Sequence, residues 1–186
     1  DVIERDLFRR TGQVGLPMLL RQAERDPAFR WLLTFRLATQ VEPSSLGMVV
    51  WKLLNRSVAV RAGIQVPRSV HIGPGLVIPH FGGIVINSEA SVGNNCTVLH
   101  GVTIGNVRRG RRFGVPTIGN RVYLGPGSTI VGGIDVGDDV LVAPNAFVNV
   151  DVPRGSTAIG NPVRIVPPYR GGGSGGYILN LPDALS

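Results

Sequence analysis

The chain has 186 residues, with 19 Lys and Arg against 12 Asp and Glu, a formal net charge of +7. Charged residues make up only 17%, Gly (26) and Pro (14) are abundant, and 43% of the chain is hydrophobic. That composition fits a folded, turn-rich domain and excludes a disordered chain. The single cysteine, Cys96, excludes an internal disulfide framework, and no apolar run approaches the ~18 residues of a membrane span.

No signal-peptide layout is visible, so a soluble, cytoplasmic protein without a membrane span is expected. The chain starts at Asp1 rather than Met, which leaves room for a segment upstream. Lys52 is the only lysine, so the basic excess is arginine, whose planar fork suits phosphates and carboxylates. No helix-turn-helix, zinc-finger or RNP pattern accompanies it. The expectation is a phosphate-rich small molecule and no nucleic acid.

Residues 1–63 read as helical. "DPAFRWLLTFRLATQ" (Asp26 to Gln40) opens with Asp then Pro, a helix-start signal, and Phe29, Leu32, Leu33, Phe35, Leu37 and Ala38 give a broad apolar stripe. A second helix is predicted from Ser44 or Ser45, stopping at Gly63.

From Val66 the period changes. Val66, Ile72, Ile78 and Ile84 lie six apart. Ile86, Val92, Val98 and Ile104 continue after a slip of two, and Ile118, Leu124, Ile130, Val136, Val142 and Val148 resume after a longer gap. A compact side chain follows four residues later, as at Cys96, Val102, Val122, Ser128, Ile134, Val140 and Ala146. Neither 3.6 nor 2 explains a strict six, and a fixed short period marks a solenoid. Six residues make one flat side, a short strand and a turn, and three sides close a triangular coil of about 18 residues. Aliphatic side chains point inward, small residues turn the corners, and successive coils pair at about 4.8 Å. The predicted fold is mainly β, a parallel β-helix of hexapeptide repeats over residues 64–152, behind the N-terminal α-helical segment. Cys96 falls in the inward phase and is expected in the core.

Residues 106–117, "NVRRGRRFGVPT", break the phase and must leave the coil as a basic loop. Residues 153–170 close the coil. Residues 171–186 form an extended C-terminal tail: "GGGSGG", a flexible linker by composition, then "YILNLPDALS", open as either an engineered addition or a docking peptide.

His80 and His100 each lie two residues after an inward aliphatic, Ile78 and Val98. They share an outward phase near a corner, 20 residues apart, which is one coil plus the slip. If the slip leaves the wall unrotated, both rings face the same side about one coil apart. His71 occupies another phase. A metal hydratase built on three histidines would need three converging ligands, and spacings of 9 and 20 do not supply them, so no metal is expected.

Three elements carry a family resemblance: His-x-x-Gly-Ile-Val (from His80), Val-Thr-Ile-Gly (Val102 to Gly105) before a loop, and the closing Gly-Asn-Pro-Val-Arg-Ile-Val (Gly160 to Val166). Over residues 64–166 the chain resembles the serine acetyltransferase family of hexapeptide-repeat acyltransferases, closest to the branch found in exopolysaccharide and capsule gene clusters. The resemblance implies a left-handed coil and a homotrimer, with acetyl-CoA in the groove between neighbouring β-helices. It implies a histidine that deprotonates the acceptor hydroxyl, which carries over to His80, with His100 as a second catalytic or substrate-binding ring. Asn106, Gly125, Ala143 and Pro144 fall where the family's groove receives the pantetheine. Arg164 is placed to meet a CoA phosphate, and the Arg108–Arg112 run to meet phosphates or an acidic polysaccharide.

The chain also departs from the pattern. Pro79 stands where the family has a serine-binding aspartate, and Gln65 near its base-orienting aspartate. Phe113-Gly114-Val115-Pro116 replaces Asp-Arg-His-Pro in the loop. The expected activity is therefore acetyl-CoA-dependent O-acetyl transfer to a sugar or polysaccharide hydroxyl. L-Serine as acceptor and a catalytically impaired scaffold, docking a partner through its tail, are the alternatives. Gln65, Asn87 or a backbone carbonyl would orient His80, and the N–H of Gly82 or Gly83 would receive the oxyanion.

Overall fold

The computed structural model describes residues 1–39, 46–168 and 173–181. Helix α1 (Val2–Thr11) is capped by Asp1 and ends at Gly12, φ 71°. After α2 (Leu16–Arg25), α3 (Pro27–Ala38) starts as its sequence dictates: Asp26 Oδ1 accepts from the N–H groups of Ala28 (2.9 Å) and Phe29 (3.2 Å), and Pro27 takes the first position. Trp31, Leu32 and Phe35 join the main core, whereas Leu37, assigned to the apolar stripe, faces solvent. Helix α4 (Leu46–Ala62) stops at Gly63, φ 60°; its predicted start at Ser44 or Ser45 lies outside the described residues. No helix among the described residues is long and apolar enough to cross a membrane.

The helices close the open end of the coil with a buried ion pair. Asp6 is 1% exposed; it accepts from Arg36 Nε (2.8 Å) and from the backbone N–H groups of Gly75 (2.7 Å) and Leu76 (3.0 Å). Arg36 also donates to the carbonyls of Ile72 (2.6 Å) and Gly73 (2.7 Å). Backbone groups that no further coil would pair are thus satisfied from the helices.

The coil then climbs in short strands. The first turn supplies β1 (Ile64–Gln65) and β2 (His71–Ile72). The next supplies β3 (Ile84–Ile86), β4 (Ser91–Val92) and β5 (Thr97–Val98). Then come β6 (Thr103–Gly105), β7 (Thr117–Ile118) and β8 (Tyr123–Leu124). Above them stand β9 (Thr129–Val131), β10 (Asp135–Val136) and β11 (Leu141–Val142), and at the top β12 (Phe147–Val148), β13 (Thr157–Ile159) and β14 (Arg164–Val166). They stack into three sheets: A (β1-β3-β6-β9-β12), B (β2-β4-β7-β10) and C (β5-β8-β11-β13-β14). Every pairing is parallel except β13–β14, which turns the chain back. This is the left-handed parallel β-helix of hexapeptide repeats. The aliphatic phase and the compact phase both point inward: Ile104, Leu124, Ile130, Val142 and Val148 are fully buried, as are Cys96, Val102, Val122, Ser128 and Val140. Burial pushes the Cys96 thiol up to about 12.

Two details differ from the sequence reading. The slip of two does not fall between Ile84 and Ile86. Val77 pairs with Thr97, Ile86 pairs with Ile104, and Ile84 sits level with Val102. The extra residues therefore lie in the corner between Ile78 and Ile84, because inward packing fixes the register of the strands and leaves only the turn free to lengthen. The glycine-rich stretch is also no loose linker where it is described. A Cβ on Gly173 (φ 70°) would stand 2.2 Å from Asp139 O; glycine there permits close contact. Ser174 N–H donates to Asp139 O (3.0 Å), Tyr177 packs on Tyr123 (ring centroids 4.8 Å), and Ile178 is buried. Residues 173–181 run back along sheet C to α1, where Asn180 Nδ2 donates to Arg9 O (3.2 Å).

Candidate active site

At one corner the chain passes from sheet C to sheet A through three-residue turns: Leu99-His100-Gly101, Gly125-Pro126-Gly127 and Ala143-Pro144-Asn145. These stack as rungs. Gly101 N–H donates to Gly82 O (2.8 Å), Gly127 N–H to His100 O (2.9 Å) and Asn145 N–H to Pro126 O (2.9 Å). The third residue of each turn has positive φ, 70° at Gly101 and 68° at Gly127, and a Cβ on Gly101 would approach the Gly127 backbone to 3.3 Å. Glycine is needed there both for the dihedral and for the stacking distance.

The lowest rung is longer. Pro79-His80-Phe81-Gly82-Gly83 carries two residues more than its counterparts, so this turn bulges from the coil directly after His80. Gly82 has φ 110°, and nothing lies within 4 Å of where its Cβ would stand. His80 and His100 are both exposed, their ring centroids 6.2 Å apart at an interplanar angle of 77°. The two imidazoles thus face the same side one coil apart, because the insertion comes after His80 and leaves its phase intact. Among the described residues neither ring is hydrogen-bonded to another side chain or to the backbone. Gln65 is exposed on β1, and Asn87 Oδ1 accepts from Glu89 N–H (3.0 Å); neither bonds to His80. The N–H groups of Gly82 and Gly83 are likewise not donors to any described backbone carbonyl.

The other sequence-assigned residues divide into two groups. Gly125, Ala143 and Pro144 occupy the rungs above His100, and Arg164 pairs with Ile159 at the top of the same column. Four steps of ~4.8 Å, from β5 to β14, put Arg164 about 19 Å above Leu99. Asn106 is not in this column. It follows β6 at the opposite edge of sheet A, where residues 107–114 form a small hairpin closed by two hydrogen bonds between Val107 and Gly114 (2.9 and 3.0 Å). In that hairpin Arg112 pairs with Asp151 (2.8 Å), while Arg108, Arg109 and Arg111 are exposed. His71 lies on β2, in a different wall from the imidazole pair. The sequence reading names Gly82 as an oxyanion donor but does not single out Phe81 or place the insertion at this turn, although the signal is present: Ile78 and Ile86 are eight residues apart where Val98 and Ile104 are six apart.

The parallel coil of hexapeptide repeats is the architecture of the hexapeptide-repeat transferases, and comparisons with known proteins place the chain in that class. The model of the bacterial transferase hexapeptide (six repeats) matches residues 116–149. The serine acetyltransferase of Helicobacter pylori (strain ATCC 700392 / 26695) is 36% identical over 140 residues, 75% of this chain and 81% of that protein. The serine acetyltransferase of Mycobacterium tuberculosis is 33% identical over 140 residues, 72% of this chain and 60% of that protein. The structure of soybean serine acetyltransferase complexed with serine superposes with a TM-score of 0.72 at 27% identity, covering 88% of this chain and 67% of that one. The chain belongs to the serine acetyltransferase family, and it is an acyltransferase. The relatives named are serine acetyltransferases, and none of them is named for a sugar acceptor.

Proposed function

We propose that the protein transfers an acetyl group from acetyl-CoA to the hydroxyl of L-serine, with His80 as general base. The observation that carries this is the exposed His80–His100 pair, 6.2 Å apart, at the foot of the corner column. In this reading His80 takes the hydroxyl proton as the oxygen attacks the thioester carbonyl. The C–S bond then breaks, and the proton passes to the departing CoA thiolate. The thioester is already activated, so no covalent enzyme intermediate is required. The free N–H groups of Gly82 and Gly83 are the donors closest in sequence for the developing oxyanion. His100 shares the acceptor hydroxyl or holds the first ring. The column Gly125, Ala143 and Pro144 receives the pantetheine, Arg164 a phosphate, and Asn106 contacts the cofactor from the far edge of sheet A. A second chain of a homotrimer covers the corner and completes the groove, and the cytoplasm supplies the acetyl-CoA.

A sugar hydroxyl is the second reading. It is favoured by Pro79 and by Phe113-Gly114-Val115, which offer no charge to an amino acid; Phe113 is 71% exposed. Thiol release from acetyl-CoA with L-serine and with a panel of sugars, followed by mass spectrometry of the products, separates the two. Release with neither, together with no CoA binding by calorimetry, overturns the enzyme assignment for this site.

A further inference from the structure

Outside the imidazole corner, a cavity of about 210 Å³ lies on the outer face of sheet C between α1 and the C-terminal segment. Arg9, Val77, Pro79, Tyr177, Leu179 and Asn180 line it. We propose that this cavity binds a small carboxylate with a short hydrocarbon part, held by Arg9. Arg9 is 3% exposed and has no carboxylate partner among the described residues. Its Nη2 donates to Asn95 O (3.1 Å) and Thr97 Oγ1 (3.4 Å), while its Nε–H has no acceptor among the described residues. A buried guanidinium without a counter-charge is costly, and a carboxylate is the group its fork fits. The neighbouring cation does not compete, because Arg10 is already paired with Asp26 and donates to Ile78 O (2.9 Å). Val77, Pro79, Tyr177 and Leu179 give the wall an apolar side and Arg10, Thr97 and Asn180 a polar one, which suits a carboxylate carrying a short hydrocarbon part. The volume is below the ~300–1,000 Å³ of drug-sized pockets, so the ligand is small.

Two sources share this chemistry. Pro79 immediately precedes His80, so the carboxylate is either that of the acceptor L-serine or that of a separate effector beside the site. The first source rests on the proposed function; the second does not.

Isothermal titration of the full chain with sodium butyrate and with L-serine tests the inference. Saturable binding is expected for at least one probe, weakened tenfold or more by Arg9→Gln and by Tyr177→Ala, and partly restored by Arg9→Lys. Tyr177 is half exposed, so its variant keeps the test open should Arg9→Gln fail to fold. Competition between butyrate and L-serine, with a raised KM for serine and an unchanged kcat in Tyr177→Ala, assigns the acceptor. A change in velocity without competition assigns an effector. Absence of binding by both probes, or binding within twofold of the parent in the folded variants, overturns the proposal whether or not acetyl transfer is detected.

Discussion

Two corners of the same coil follow one backbone plan and reach different ends. Between sheets B and C, Gly73, Gly93, Gly119 and Gly137 stack so closely that a Cβ on Gly93 would meet Gly119 O at 2.5 Å. Side chains then lock the rungs. Asn120 Oδ1 accepts from Asn94 N–H (2.8 Å), Asp138 Oδ1 from Asn120 N–H (2.7 Å), and Arg121 pairs with Asp139 (2.6 Å). Between sheets C and A the rungs hold through backbone bonds, and the side chains at equivalent height are His100, Pro126 and Pro144, which make no lock. There the lowest turn gains two residues. One corner uses its polar atoms on itself; the other leaves two imidazoles and two glycine N–H groups without hydrogen-bond partners among the described residues. A rigid scaffold with one unlocked corner is how a repeat fold carries a site.

The sharpest way to break this contrast is His80→Ala. Thiol release should fall about 10²–10⁴-fold, while the melting temperature stays at the parent value. Parent-like turnover ends the assignment of the base, and a large loss of stability ends the claim that this corner is unlocked. Gly93→Ala should do the reverse, costing about 3 kcal/mol in urea unfolding because the clash is with backbone that cannot move aside. Gly101→Ala, with only a 3.3 Å approach and a positive φ, should cost about 1–2 kcal/mol. A smaller effect is expected from Asp138→Ala, which strips the acceptor from Asn120 N–H and Nδ2, about 1 kcal/mol in the same assay.

The smallest expected effect is in pH. Hydrogen bonds from Arg121 hold the Asp139 carboxyl below its ordinary value. A lowered folded-state pKa adds stability that is complete above the unfolded value of about 3.9 and is lost as pH falls through the folded value. The pair is partly exposed, so the loss should stay under ~1 kcal/mol. Urea midpoints at pH 5 and pH 2.5, compared with those of Arg121→Gln, should show the parent losing more than the variant.

The triangular coil was legible because its period is a property of adjacent residues. Each inward aliphatic meets its equivalent one coil away, so the need for a filled core is written locally as a six-residue spacing. The His80–His100 pair was legible for the same reason, since both rings share one phase of the repeat. That Asn106 lies at the far edge of sheet A from that pair was not legible, because the spacing gives a residue's phase and not which corner of the closed coil it occupies. The buried Asp6–Arg36 pair and the cavity at Arg9 left no periodic trace, as each joins residues far apart in the chain.

By itself, then, the sequence determined the repeat, the inward and outward phases, and the helix that starts at Asp26. Only the tertiary structure decided which turn absorbed the two extra residues, how the helices cap the coil, and that residues 173–181 lie packed against sheet C. Periodic packing depends on neighbours that recur along the chain, so sequence can specify it. Where a turn lengthens and where a tail docks depend on surfaces that exist only once the coil has closed.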